Sequence, residues 1–246
     1  ELAAKTGSQI IPADATSMVD IENLVEKSME ILGGQIDFVL HSIGMSVNVR
    51  KGKHYTDPKY DFTTKGWDVS AVSFPKVMDV LYNKQAMSEW GSIVALTYMA
   101  AQRVFPDYND MADNKAYLES IARSFGYFFG RDHKVRVNTI SQSPTPTTAG
   151  TGVKGFDGFL AYADKMSPLG NATALECADY TISLFYSILK QLISWLQKMV
   201  EKLTKNLNLE ETGALNMTIC KRLRMKKVIR KQINLCFVNT KKMMIS

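Results

Sequence analysis

The stretch TYMAAQRVFPDYNDMADNK, residues 97–115, leaves an apolar run, crosses a loop and enters a segment with a helical pattern. It sets two phenols, Tyr98 and Tyr108, ten residues apart and places Lys115 seven residues beyond the second. Seven residues are close to two helical turns, a rise of about 10 Å with an angular drift of about 20°. If both residues are helical, Tyr108 and Lys115 share a face. A neighbouring ammonium favours the phenolate, whose ordinary pKa is about 10. Such a phenol can donate a hydrogen bond or a proton to developing oxyanion charge. The spacing alone suits an ordinary surface pair equally well.

Outward from this stretch, short apolar runs alternate with longer amphipathic ones. Residues 8–13 (SQIIPA), IDFVLHS, SIVALTY and VRVNTIS read as strands. SMVDIENLVEKSMEIL has apolar positions near helical spacing, with a charged opposite face. A polar loop is expected over 48–62 and a helix over 67–87. Pro75 costs that helix about 3 kcal/mol or kinks it if it lies in the interior. A further helix is expected from about residue 110 to 129, stopping at Gly130. This order predicts an α/β fold, a doubly wound parallel sheet with helices on both faces. Ligands of such sheets bind beyond the carboxyl ends of the strands. The segments ADAT, HSIG, TY and SQSPTPTT stand at those ends and are expected to converge on one crevice. Ser42, Ile43 and Gly44 offer close backbone approach to a flat ring. The loop PTPTTAGTG offers hydroxyls and N–H groups suited to a pyrophosphate. His41 reads as a core histidine with its hydrogen bonds met.

The chain has 246 residues and 46% hydrophobic content, enough for a sizeable core. Its three cysteines, Cys177, Cys220 and Cys236, are odd in number and widely spaced. That argues against a disulfide framework and against a metal site. No apolar run reaches the roughly 18 residues of a membrane span, and no secretory leader is visible from Glu1 onward. A cytoplasmic setting is expected. Charge is uneven: residues 186–246 hold 13 Lys/Arg against 3 Asp/Glu, while the remainder is net acidic. Residues 1–185 and 186–246 are therefore read as separate parts.

The motif Tyr98-x9-Tyr108-x6-Lys115, with HSIG, ESIARSFGYFFGRDHKVRVNTIS and MSPLGNAT, closely resembles the bacterial enoyl-acyl-carrier-protein reductases. These belong to the short-chain dehydrogenase/reductase superfamily, and the resemblance runs to about residue 185. It implies a Rossmann-like fold and reduction of the 2,3 double bond of an enoyl thioester with NADH in type II fatty acid synthesis. It implies that Tyr108 hydrogen-bonds the thioester carbonyl, that Lys115 holds the nicotinamide ribose and that Tyr98 borders substrate and nicotinamide. Asp14 and Ala15 would meet the adenine. Ser42, Ile43 and Gly44 would lie beside the cofactor, and Thr145, Pro146, Thr147, Thr148 and Ala149 would track its phosphates and nicotinamide. Ser46 falls where the family touches substrate, and residues 151–162 match its mobile covering segment. The resemblance also implies an acyl-carrier-protein thioester as partner and a homotetramer built through the helices near 67–87 and 110–129. Ketone-reducing relatives use Tyr-x3-Lys instead. Ala112 takes that lysine position here, and the string Tyr55–Lys59 is interrupted by Pro58.

Two departures stand out. The family opens with a strand, a Gly-rich phosphate loop, a helix and a second strand, and none of these is found. The sheet is expected to lack those strands and the last one, and the chain alone to hold NADH poorly. The residue that separates NADH from NADPH goes with them, so NADP is not excluded. After residue 185 the family pattern gives way to an amphipathic segment and the basic run KRLRMKKVIRK, read as a divergent basic tail, helical or disordered. No nucleic acid or membrane partner is expected unless that tail is native. Alternative readings are a ketone or aldehyde reductase of the same superfamily, and a non-catalytic fragment whose basic arm binds acidic surfaces.

Overall fold

A computed structural model describes residues 2–105, 108–147, 150–151 and 155–186. The expected basic tail beyond Tyr186, and Thr148 and Ala149, lie outside the described residues. Residues 10–185 belong to one compact unit, and residues 2–9 and Tyr186 to another. In the latter, α1 (Leu2–Thr6) is a single short helix.

The larger unit is built on three parallel strands, β1 (Ile36–His41), β2 (Met87–Thr97) and β3 (Arg136–Ser141), in the order β1-β2-β3. Phe38 pairs with Ser92 and His41 with Ala95, while Ser92 pairs with Arg136 and Thr97 with Ser141. Alternation along β2 divides the two faces. Ile93 and Ala95 enter a buried core with Phe74, Met78, Leu81, Leu118 and Phe129 from α5 (Ser73–Asn83) and α6 (Asn109–His133). Ile21 and Val25 of α2 (Met18–Leu32) join the same core. The opposite face carries α8 (Ala174–Phe185): Ser92 Oγ donates to Leu184 O at 3.1 Å, and Phe38 stacks on Phe185. Helices thus cover both faces of a parallel sheet, as the sequence predicts.

Capping explains where α2 begins and ends. Ser17 Oγ accepts from the Asp20 N–H, and Gly33 closes the helix in the left-handed region.

Four expectations are corrected. Residues 8–14 form no strand, because extended backbone persists as a strand only through ladder hydrogen bonds and this segment pairs with none of β1–β3. The polar loop over 48–62 contains a short helix, α3 (Val47–Arg50), capped by Ser46. The next helix starts earlier than predicted: α4 (Tyr60–Trp67) runs through a π-helical turn, Asp68–Val72, into α5. That wide turn precedes Pro75, so the ring and missing N–H fall where the regular hydrogen-bond ladder is already interrupted. Finally, α6 does not stop at Gly130. It continues to His133 and ends on Lys134 at φ 55°, where the Val135 N–H closes on Phe129 O. Burial of Phe129 in the core outweighs one glycine's weak helix preference, worth about 1 kcal/mol.

Among the described residues no helix is long and apolar enough to cross a membrane, and no group of three or more His, Cys, Asp and Glu is placed to hold a metal ion.

Candidate active site

Aromatic rings gather beyond the end of β2. Extended backbone at Tyr98 follows β2, and its ring, 7% exposed, lies against those of Tyr108, Phe105 and Phe159 at centroid distances of 5.2, 5.7 and 5.6 Å. Phe159 belongs to α7 (Phe156–Met166), within the segment read as a cover. It stacks on Tyr108 with an interplanar angle of 12°. Residues 152–154 of that segment lie outside the described residues. The Tyr98 hydroxyl is buried with no hydrogen-bond partner, an orphaned polar group that costs about 1–3 kcal/mol unless a ligand meets it.

Lys115 projects from α6 into the same region and is 8% exposed. Its Nζ donates to Leu96 O at 2.7 Å. A Cβ placed on Gly44 would sit 3.9 Å from that Nζ and 3.8 Å from Met111 Cε. The absent side chain at 44 therefore leaves room beside the ammonium. Burial lowers the Lys115 pKa to about 8. The His41 ring at the end of β1 is driven down to about 3, first by burial and then by the Lys115 charge. It is a neutral core histidine with Nε2 3.0 Å from Ser73 Oγ, but its buried Nδ1 has no hydrogen-bond partner, so the expectation that its hydrogen bonds are met is corrected.

The expected Tyr108–Lys115 relation is revised. Tyr108 is the N-cap of α6, and Asn109 after it has a φ of 40°, so the phenol stands outside the regular helix. Two-turn geometry does not apply. No lysine effect lowers the Tyr108 pKa; burial raises it to about 12. The phenol stays neutral at ordinary pH and keeps its proton to donate, so it is not the phenolate that the spacing suggested.

Ile43 and Ala15 are buried together with Val69, and Met45 packs on them, which joins the ADAT and HSIG turns. Ser42 and Gly44 are exposed. Asp14 is exposed too, its Oδ1 accepting from the Thr16 N–H and hydroxyl, which lower its pKa. The Thr16 carbonyl accepts from Lys76 Nζ at 2.8 Å, and Lys76 also pairs with Asp68. Ser46 is buried as the cap of α3, and its hydroxyl donates to Asp110 Oδ1.

The loop after β3 differs from its predicted use. The N–H of Thr147 donates to Thr145 O, that of Gly150 to Thr147 Oγ1 and that of Thr151 to Thr147 O. Pro146 has no N–H. A Cβ on Gly150 would fall 2.7 Å from Thr145 O, so this tight turn needs glycine. The N–H groups of Thr147, Gly150 and Thr151 are thus engaged inside the loop, where N–H groups for a pyrophosphate were expected.

Sequence reasoning missed Asp110, Asn48, Phe105, Phe159 and Glu119. Glu119, one helical turn beyond Lys115, is buried and accepts from Thr97 Oγ1 and Gln102 Nε2. The signal available was a run of polar residues, Asn109, Asp110, Asp113 and Asn114, at the start of a helix that must face a core. The string Tyr55–Lys59 is no site: Tyr55 is exposed and its hydroxyl donates to Asp113.

Residues 1–193 match the family model described as enoyl-(acyl carrier protein) reductase. A curated relative from Rhizobium meliloti (strain 1021), enoyl-acyl-carrier-protein reductase (NADH) 2, is 34% identical over 71% of this chain. This chain spans 64% of that relative's length. Among solved structures, the FabI–NADH complex from Alistipes finegoldii is 60% identical with a TM-score of 0.73, covering 75% of this chain and 65% of that one. The NADH enoyl-acyl-carrier-protein reductase from Aquifex aeolicus VF5 is 30% identical with a TM-score of 0.68, covering 75% and 71%. Tyr98, Tyr108 and Lys115 gathered at the end of β2, and a match over residues 1–193, lead to one assignment: the chain belongs to the enoyl-(acyl carrier protein) reductase family.

Proposed function

We propose that this chain reduces the 2,3 double bond of an enoyl thioester carried on acyl carrier protein, with NADH as reductant, in fatty acid synthesis. The observation that carries the reading is the buried Lys115 ammonium beside the open Gly44 position, bonded to Leu96 O at the end of β2, the strand that leads to Tyr98, whose hydroxyl is orphaned and whose ring packs on the neutral Tyr108 phenol.

The residues present fit the nicotinamide end of the cofactor. An ammonium carries three N–H bonds; Leu96 O takes one, and a ribose diol accepts the others. Fit at the phosphate end is poorer, because the N–H groups of Thr147, Gly150 and Thr151 are engaged within the loop and Pro146 has none. NADH binding by this chain is therefore expected to be weak, with Kd above about 0.1 mM. Asp14 and Ala15 take the adenine side in this reading, and Ser42 and Ile43 the nicotinamide side.

When bound, NADH supplies a hydride to C3 of the enoyl group. The electron pair displaced from the double bond would move to the thioester oxygen, and its return to C2 with a proton taken from solvent would complete the addition of one hydride and one proton. Tyr108 donates a hydrogen bond to that oxygen and holds it more strongly as charge develops. Tyr98 and Phe159 wall the acyl group and exclude water. A ketone-reducing role is disfavoured by Ala112 at the position where those relatives carry lysine.

With NADH at about 1 mM, the upper end of ordinary KM values, the purified chain is expected to convert a crotonyl thioester to its saturated product. Acetoacetyl thioester should stay unreduced under the same conditions. Reduction of acetoacetyl thioester alone would overturn the reading.

The proposed setting is the cytoplasm, and the proposed assembly a homotetramer. Support for assembly comes from aromatic side chains left exposed on α4 and α6: Trp67 at 45%, Tyr127 at 64% and Phe128 at 44%. Light scattering is expected to give about four times the chain mass. A clean monomer would remove this proposal.

A further inference from the structure

Beneath Tyr108 lies a buried polar cluster that the reaction chemistry does not use. Asp110 is 3% exposed, and its two carboxylate oxygens accept from Ser46 Oγ at 2.5 Å and Asn48 Nδ2 at 2.9 Å. Asn48, fully buried, also accepts from the Lys59 N–H at 3.0 Å and donates to Thr63 Oγ1 at 2.9 Å. Asn109, 2% exposed, donates from Nδ2 to Lys53 O at 2.7 Å. Its Oδ1 accepts from the Asp110 N–H at 2.6 Å.

Burying a carboxylate is costly unless hydrogen bonds compensate it. Here two side-chain donors and the first turn of α6, whose N-terminus favours negative charge, do so. Asn109 is held at φ 40°, a conformation that L residues rarely adopt and that asparagine tolerates best. Such strain persists only where the surroundings over-determine it. The backbone is thereby turned just after Tyr108, and this sets the phenol against Tyr98 and Phe159 instead of along the helix.

We propose that Asp110 is the positioning residue of Tyr108: its buried carboxylate clamps the Ser46–Asn48 turn to the start of α6 and, through the Asn109 bend, fixes the phenol's direction. This rests on the reading that Tyr108 donates to the substrate oxygen. The clamp joins the turn that follows HSIG to the phenol, so the two sides of the substrate site move as one.

The test is a double-mutant cycle in the full chain with two readouts. The first is the tyrosine band in near-ultraviolet circular dichroism, which needs neither cofactor nor turnover. Asp110→Asn keeps the shape and removes the charge. It should change that band relative to the unaltered chain, and the change should vanish in a Tyr108→Phe background. The second is reduction of crotonyl thioester: Asp110→Asn should lower kcat about tenfold, with little further loss when Tyr108→Phe is already present, since residues acting as a unit are not additive. KM for NADH should move less than about twofold, because Lys115 is left untouched. Ser46→Ala, which removes one donor to the carboxylate, should show the same pattern more weakly and serves if Asp110→Asn fails to fold. A band unchanged by Asp110→Asn and Ser46→Ala overturns the proposal. So does a change of equal size with and without the Tyr108 phenol. If Tyr108→Phe alone leaves turnover intact, the donor reading fails, and the dichroism cycle still decides whether Asp110 sets the ring.

Discussion

Tyr108→Phe is expected to lower kcat on an enoyl thioester about 10²-fold or more, the loss typical of one removed oxyanion donor. Burial decides the state of this phenol. Its pKa is pushed up to about 12, so below pH 10 it is a neutral donor with its proton in place. Removing the hydroxyl deletes a hydrogen bond that is stronger in the transition state than in the ground state, so kcat falls while KM for NADH changes little. The ring stays, and with it the packing on Tyr98 and Phe159, so the melting temperature should hold. A steady-state comparison at saturating thioester checks this. Near-full turnover by the variant would show that another group bears the charge. The pH profile is a second check: phenol ionisation should not limit activity at neutral pH.

Lys115→Met is expected to pull stability and binding in opposite directions. The folded pKa of Lys115 is lowered from 10.5 to about 8 by burial. Between these values the unfolded chain binds more protons than the folded one, so stability rises with pH across that window. The contribution is fully present above about pH 10.4 and is lost as pH falls through 8. At pH 7 the native protein therefore carries a buried ammonium at a cost. Methionine removes that cost but leaves Leu96 O without its donor. The variant should be more stable at pH 7 by about 1–2 kcal/mol, after allowing for the unpaired carbonyl, and its stability should change less between pH 8 and 10.5. Its kcat/KM for NADH should fall about 10²-fold, the worth of two lost hydrogen bonds from a charged donor. Urea unfolding across pH, beside steady-state kinetics, separates the effects. A lysine retained at a stability cost is what a functional site requires.

Apolar runs made the three paired strands legible from sequence, because the sheet is covered on both faces and its strands read as short continuous hydrophobic segments. The first segment, 8–13, failed for a non-local reason: its residues favour extended backbone, but strand formation depends on a ladder neighbour that no local pattern reveals. The start of α6 failed differently. Spacing placed Tyr108 and Lys115 on one helical face, while a left-handed bend at Asn109 puts the phenol outside the helix. That bend depends on Lys53 O and, through Asp110, on Ser46 and Asn48, all more than fifty residues earlier in the chain. The chemical types at the site were nevertheless readable. Their protonation states were not, because burial and not the neighbouring lysine sets the Tyr108 pKa. The Thr-rich loop shows the same limit: its composition suits anion binding, yet the N–H groups of Thr147, Gly150 and Thr151 close a tight turn within it.

Lys115 and Tyr108 are proposed to act together in directing a hydride to C3 of an enoyl thioester. The most direct measurement is transfer of deuterium from NADH labelled at C4 to crotonyl thioester by the 246-residue chain, with the product read by mass spectrometry and NMR. One deuterium is expected at C3 per saturated product, with formation depressed about 10²-fold by Tyr108→Phe and a similar fall in kcat/KM for NADH with Lys115→Met. Label at another carbon, or product formation by either variant equal to that of the unaltered chain, would overturn that role.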